Sequence, residues 1–252
     1  MNEKSVTACV LIIGNEILSG RTQDANLSFI ARTLNEHGIQ VREARTIPDV
    51  PAVIIDTLNA VRPQFDYVFT TGGIGPTHDD ITAECVAEAF GLPIVMHPQI
   101  EARIREFSKL RNLSEDVLAS SLRMARVPEG ADLIETEVGA PGFTIGNVYV
   151  MAGIPGVMQS MLGLLAPKLE GSRPVRSRSV GAYLGESMVA ERLTAIQDAN
   201  PDVDIGSYPF SENGRYGTTL VVRGPDEERL EAVLEELRTL IMVHGGEPLE
   251  RS

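Results

Sequence analysis

The stretch Thr70–Thr82 reads TTGGIGPTHDDIT and sets two opposed kinds of phosphate chemistry side by side. Gly72, Gly73 and Gly75 allow positive φ and close approach of a ligand to backbone N–H groups, the makings of an anion cradle. Asp79 and Asp80 would repel the same anion. A divalent cation removes the conflict, because Mg²⁺ takes hard oxygen ligands and often bridges a carboxylate to a phosphate. Asp79 and Asp80 are accordingly candidate metal ligands and candidate catalytic groups. One carboxylate at a helix start is ordinary capping, worth about 1 kcal/mol. Two of them, bracketed by Thr77 and Thr82, exceed that need, and spacing alone leaves capping and metal binding both open. His78 is read as an exposed loop histidine.

Two further segments carry polar or glycine-rich loops of the same kind. Gly14-Asn15-Glu16-Ile17-Leu18-Ser19-Gly20 follows the first apolar run, with Asp24-Ala25-Asn26 after it. Asp24 is explained well as a helix cap, whereas Asn15 and Glu16 have no evident turn role. Glu16 or Asp24 could position an attacking water. Gly153-Ile154-Pro155-Gly156 lies at another strand end and could close the site. Familiar phosphate and acyl-transfer motifs are missing: Pro76-Thr77 stands where a P-loop needs Lys-Ser/Thr, and neither G-x-G-x-x-G nor G-x-S-x-G occurs at a suitable strand end.

The elements that must position these loops follow from apolar periodicity. Ala8–Ile13 is a continuous apolar run, the pattern of a parallel strand buried on both faces. A helix follows with Leu27, Ile30, Ala31 and Leu34 on one face, stopped at Gly38. Ile39–Ile47 is a strand, and Asp49 is the expected cap of a helix carrying Val53, Ile54, Leu58 and Val61. Asp66–Thr71 is the third strand and Ile81–Phe90 the next helix. This β-α-β-α-β-α order predicts a parallel sheet between helices. The glycine loop then sits at the carboxyl end of a central strand, where such sheets bind ligands. Helices are expected over Ile100–Leu110 and Ser114–Ala125, and two short strands turning at Gly146-Asn147 over Gly142–Val150. A helix containing Val157, Met161, Leu164 and Leu165 completes the first domain, residues 1–170. After a linker, Lys168–Pro174, a small α+β domain of β-α-β-β-α order is expected over 175–252. Its first helix, Glu186–Ala199, turns Met188, Leu193 and Ile196 inward, and its last carries the stripe Leu230, Val233, Leu234, Leu237, Leu240 and Ile241.

Composition narrows the function classes. With 252 residues, 43% hydrophobic, the chain suits a large domain with a small companion. Acidic residues outnumber basic ones by 35 to 22, a net charge of −13, which argues against a nucleic-acid partner. No apolar run is long enough for a membrane span and the N-terminus shows no cleavable leader, so a cytoplasmic protein is expected. Cys9 and Cys85 are read as buried thiols of a reducing compartment. An acidic protein binding phosphate would rely on backbone amides, helix dipoles and metal ions.

The three loops together resemble the molybdopterin-binding domain of the MoaB/MogA-like proteins, and most of all the branch that forms the N-terminal part of CinA. The matching residues are Gly14–Gly20 with Asp24-Ala25-Asn26, Thr71–Thr82, and Gly153–Met158. Gly185-Glu186-Ser187 and Asp202–Pro209 in the small domain also look like this branch. The resemblance implies a three-layer α/β/α sandwich with a mostly parallel sheet. It implies a pocket for a phosphorylated heterocycle, ADP-ribose or a pterin, built from Gly14, Asn15, Asn26, Thr71, Gly72, Gly73, Gly75, Pro76, Thr77, Thr82, Gly153 and Pro155. Relatives of the CinA branch are associated with metal-dependent cleavage of ADP-ribose, and the cofactor-synthesis relatives bind molybdopterin. Either a pyrophosphatase or a non-catalytic pterin-binding protein therefore fits, and the family implies a homodimer or homotrimer. The branch usually carries an acidic residue in the Gly-Pro loop where this chain has Val157, and the chain ends without the deamidase domain of CinA proper.

Overall fold

The computed structural model describes residues 5–250, so the outermost residues of the two expected domains, 1–4 and 251–252, lie outside it. The chain divides into two compact units, one ending at Ser172 and the other starting at Arg173. Gly171 and Ser172 belong with the first unit because the N–H and hydroxyl of Ser172 both donate to the carbonyl of Gly38, at 3.0 and 2.8 Å.

The first unit opens with β1 (Val6–Ile13), a helical turn α1 (Asn15–Leu18), α2 (Asn26–Glu36), β2 (Ile39–Ile47), α3 (Pro51–Val61), β3 (Tyr67–Thr71) and α4 (Thr82–Phe90). It continues with β4 (Ile94–Met96), α5 (Pro98–Arg111), α6 (Glu115–Ser121), β5 (Arg126–Pro128) and β6 (Asp132–Ile134), then β7 (Gly142–Ile145), β8 (Val148–Met151) and α7 (Pro155–Leu165). The main sheet has the order β2-β1-β3-β8-β7-β6. Strands β2, β1, β3 and β8 run parallel, while β7 and β6 are antiparallel additions reached through the tight turn at Gly146-Asn147. Strands β1 and β3 are neighbours, which brings the loops after them together.

Strand β1 shows why the sheet must be covered on both sides. Ala8, Val10 and Ile12 pack with Ile30 and Leu34 of α2 and Met158 and Leu162 of α7. Cys9, Leu11 and Ile13 point the other way, against Ile54 and Leu58 of α3 and Val86 of α4. Successive residues on a strand face opposite sides, so a run of six buried apolar residues demands helices on both. Phe69 on β3 lies opposite Tyr149 on β8 in the register, and their rings stack at 5.2 Å. Full burial of such a ring stabilises by roughly 2–3 kcal/mol. At the sheet's edge, β2 carries Arg42, Glu43 and Arg45, with Glu43 and Arg45 paired to each other.

Several sequence expectations are corrected here. Asp49 does not cap α3: that helix starts at Pro51 with no side-chain cap, proline being preorganised for the first turn. The helix expected over 114–125 is α6, capped by Ser114, followed by a 3₁₀ turn at Leu122–Ala125. The pair β4-β5 and the edge strand β6 are three-residue strands, too short to leave a period in the sequence.

In the second unit, β9 (Arg176–Ala182), β10 (Asp204–Glu212), β11 (Arg215–Gly224) and β12 (Leu249–Glu250) form an antiparallel sheet of order β10-β11-β9-β12. The helices α8 (Glu186–Ala199) and α9 (Glu227–Val243) cover it. The stripe on α9 is buried at Leu230, Val233, Leu234, Leu237, Leu240 and Ile241. On α8 the inward residue is Val189, with Leu193 and Ile196 partly buried, and Met188 faces solvent. The 14-residue helix has a wide polar surface, so a one-residue error in phase moves a side chain about 100° around it.

Both cysteines are buried, and burial pushes each thiol up to about 11, with Glu43 adding to the effect at Cys9 and Glu84 at Cys85. The thiolate is the reactive form. At pH 8 neither thiol should react with a disulfide reagent on the time scale of the unfolded protein, and both should react once denaturant is added; prompt labelling of the native protein would contradict this burial.

Candidate active site

The loops after β1, β3 and β8 enclose one cleft of about 640 Å³ within the first unit, a volume typical of small-molecule sites. Of the residues expected in the site, Glu16, Gly72, Gly73, Gly75, Pro76, Asp79, Asp80, Gly153 and Pro155 line it. Gly14, Asn15, Asp24, Asn26, Thr71, Thr77 and Thr82 are not among its lining residues.

Asn26, in the first turn of α2 and 5% exposed, donates through Nδ2 to Thr71 Oγ1 and to the carbonyl of Gly153, both at 2.8 Å. One side-chain amide thus joins the end of β3, the start of α2 and the loop before α7. Thr82, fully buried, donates its hydroxyl to the Gly72 carbonyl at 3.0 Å, and its N–H to the Gly73 carbonyl at 2.9 Å. Gly72 is at φ 107°, and a Cβ there would stand 2.1 Å from the carbonyl oxygen of Ile13. Only glycine fits, because both the backbone conformation and the close approach to β1 exclude a side chain.

Asp24, a catalytic candidate in the sequence, is not among the residues that line the cleft. Its two oxygens accept from the N–H groups of Asn26 and Leu27, at 3.2 and 3.0 Å, so it caps α2 and stands outside the cleft. The amide of Gly72 is also spent, on the carbonyl of Met151 at 3.2 Å. The N–H groups of Gly73, Ile74 and Gly75, by contrast, make no hydrogen bond among the described residues and are available to an anion. Glu16, exposed at the mouth of the cleft, has no side-chain hydrogen bond among them either.

Asp79 and Asp80 meet at Thr77. The Thr77 hydroxyl lies 2.5 Å from Asp79 Oδ1 and 2.5 Å from Asp80 Oδ2, and Asp80 Oδ2 also accepts from the Thr77 N–H at 2.8 Å. A hydroxyl has one proton, so it serves the two carboxylates in turn. Each keeps one oxygen, Asp79 Oδ2 and Asp80 Oδ1, free of these bonds. Gly75 permits this packing, since a Cβ there would stand 2.6 Å from Asp80 Oδ2. The Thr77 hydroxyl, the residue's own N–H and nearby His78 hold the Asp79 carboxyl below its ordinary value. His78 is almost fully exposed, as expected.

Residues not foreseen complete the lining. Asp49 presents a carboxylate and anchors Asn15 by accepting its N–H at 2.8 Å. Thr22, Met124, Gly139 and Ala140 also line the cleft, beside Val157 of the loop already singled out in the sequence. The cleft therefore gathers four carboxylates, Glu16, Asp49, Asp79 and Asp80, and no lysine or arginine. Among the described residues no three His, Cys, Asp or Glu side chains form a ready metal cluster.

Comparison with known proteins fits this architecture. A family model described as "Probable molybdopterin binding domain" matches residues 9–171, and one described as "FAD synthase, middle domain" matches residues 174–245. The chain belongs to the molybdopterin-binding-domain family. Within it the chain is similar to CinA-like proteins: it is 34% identical over 209 residues to one from Desulfosudis oleivorans, covering 78% of this chain and 50% of that protein. A solved structure of CinA from Thermoplasma acidophilum, whose function is given as unknown, superposes with a TM-score of 0.59 at 32% identity, over 66% of this chain and 99% of the other. An Archaeoglobus fulgidus protein is 31% identical over 235 residues, 92% of this chain and 96% of its own length. A "Probable FAD synthase" of Caenorhabditis elegans is 30% identical over 94% of this chain and 50% of its own length. The chain thus spans about half the length of its CinA-like and FAD synthase relatives. Among the described residues no helix is long and apolar enough to cross a membrane.

Two outcomes test this geometry. Asn26→Ala removes two buried hydrogen bonds and should cost about 2 kcal/mol in denaturant unfolding, with faster amide exchange in the Gly153 loop; unchanged exchange there would show that the amide does not tie the loops. Thr77→Val should raise the Asp79 pKa toward the ordinary carboxyl value in an NMR titration, because the neutral hydrogen-bonded partner that favours the anion is gone.

Proposed function

We propose that the cleft is the active site of a metal-dependent pyrophosphatase acting on ADP-ribose or a similar nucleoside diphosphate. The observation that carries the reading is the charge of the lining: four carboxylates and no cationic side chain around three unspent N–H groups. Such a site repels a free diphosphate and accepts one that arrives with a cation. The donors fit a hard divalent ion, Mg²⁺ or another, with Asp79 and Asp80 as its protein ligands and the ligand's phosphates and water completing the shell. When bound, such an ion neutralises charge on the phosphates and polarises the phosphorus centre.

The chain's own residues supply the rest. The N–H groups of Gly73, Ile74 and Gly75 hold the oxygens of one phosphate at the sheet's carboxyl edge. Glu16, the lining carboxylate with no hydrogen bond of its own, orients a water and takes its proton as the oxygen adds to phosphorus. The bridging P–O bond breaks, and AMP and ribose 5-phosphate leave. Asp79, held below its ordinary value, stays anionic throughout the neutral range and remains a metal ligand there. Its contribution is present above the ordinary carboxyl value and is lost only as pH falls through the lower folded one. Two buried free thiols fit a reducing compartment, and we place the reaction in the cytoplasm of the cell, in a homodimer or homotrimer.

One observation favours a second reading. Val157 puts an apolar side chain in the lining. A site that only holds a molybdopterin-like pterin loses nothing by it. The two readings separate in one assay. Purified protein with Mg²⁺, Mn²⁺ or Co²⁺ should release AMP from ADP-ribose, and Asp79→Asn and Asp80→Asn should each lower kcat/KM by about 100-fold or more. Release no greater than that of Asp80→Asn would reject the pyrophosphatase, and metal-independent retention of a fluorescent pterin would support the binding protein.

A further inference from the structure

Beside the glycine loop the first unit holds another, much smaller space. A recess of about 20 Å³ is lined by Gly73, Gly75, Asp80, Arg123 and Arg126, among others. It shares Gly73, Ile74, Gly75, Asp80 and Met124 with the large cleft, so the two spaces meet at one loop. Its two arginines are in different states. Arg126 is committed, with Nη1 3.0 Å from Glu84 Oε1. Arg123 has no hydrogen bond or ion pair through its side chain among the described residues, and its Nε is buried without any acceptor. A buried charged donor left without a partner is costly, and native structures rarely keep one without a use.

We propose that Arg123 is the phosphate-reading side chain of this site: its guanidinium takes oxygens of the phosphate whose other face is held by the N–H groups of Gly73 and Gly75. This rests on the reading of the cleft as a phosphate site and extends it. The recess has room for about one oxygen atom, since a water needs some 10–15 Å³ of such space. The guanidinium fork presents Nε–H and a neighbouring Nη–H in parallel, a spacing that matches two oxygens of one phosphate. Arg123 also brings an unpaired positive charge beside a cleft whose own lining has none. The sequence hides this role because Arg123 sits in what reads as a helix continuing from Ser114; the 3₁₀ turn at Leu122–Ala125 is what places it against the recess.

The test is equilibrium binding of ADP-ribose and of inorganic pyrophosphate, each with Mg²⁺, to the wild type, Arg123→Gln and Arg123→Lys, with the melting temperature of each ligand-free protein. Arg123→Gln should bind both ligands about 10- to 100-fold more weakly with an unchanged ligand-free melting temperature. Arg123→Lys, which keeps the charge but loses the fork, should recover only part of the loss. Wild-type affinity in the glutamine variant overturns the role of Arg123 while leaving the phosphate site standing. A fall in the ligand-free melting temperature of both variants in step with binding assigns Arg123 to structure and also overturns it. A wild type that binds neither ligand overturns this role and the reading of the cleft together.

Discussion

The amide of Asn26 fixes the distance between the loops on which every other feature of the site relies. Its Nδ2 group reaches the Thr71 hydroxyl and the Gly153 carbonyl from the first turn of α2. Those two acceptors belong to segments 82 residues apart in the chain, brought together because β3 and β8 are adjacent and parallel. With the strands in register, a single buried side chain can hold both of their exit loops. The pairing of β3 with β1 on its other side makes Gly72 obligatory, since β1 presses its Ile13 carbonyl against the place where a side chain would be. The cleft is thus a product of strand order first, and its chemistry is added on a frame that packing has already set.

On that frame the acidic residues do two jobs that are easily confused. Asp24 and Asp49 hold backbone N–H groups and give the loops after β1 and β2 their shape. Asp80 does the same for Thr77, yet retains an oxygen facing the cleft. A carboxylate that satisfies a turn with one oxygen and a ligand with the other is preorganised at no extra conformational cost. The charge that would make such a site hostile to phosphate is also what makes it demand a cation, so an acidic chain and a phosphate ligand are compatible.

Much of this was legible in the sequence, for identifiable reasons. The unbroken apolar run at Ala8–Ile13 and the helix stop at Gly38 announced a doubly covered sheet, and the glycine loop marked its ligand-binding edge. The residues that went unread are those whose role depends on a neighbour distant in sequence. Asp49 has the look of a cap, and only the fold shows it bonded to Asn15. Asp24 looks equally suited to catalysis or capping until its two N–H partners are seen. Gly72 reads as a phosphate-binding amide, but its N–H is consumed by Met151, a pairing that a local pattern cannot announce. Met188 and Val189 differ by one position on a helix of weak polarity contrast, and periodicity could not choose between them.

The outer strand β2 has a consequence of another kind. Its exposed run is studded with Arg42, Glu43 and Arg45, while the opposite border of the sheet is the three-residue β6. Strands with free edges invite pairing with any extended chain, and charge or brevity at the rim discourages it. Charge at one margin and brevity at the other therefore disfavour growth of the sheet by strand addition.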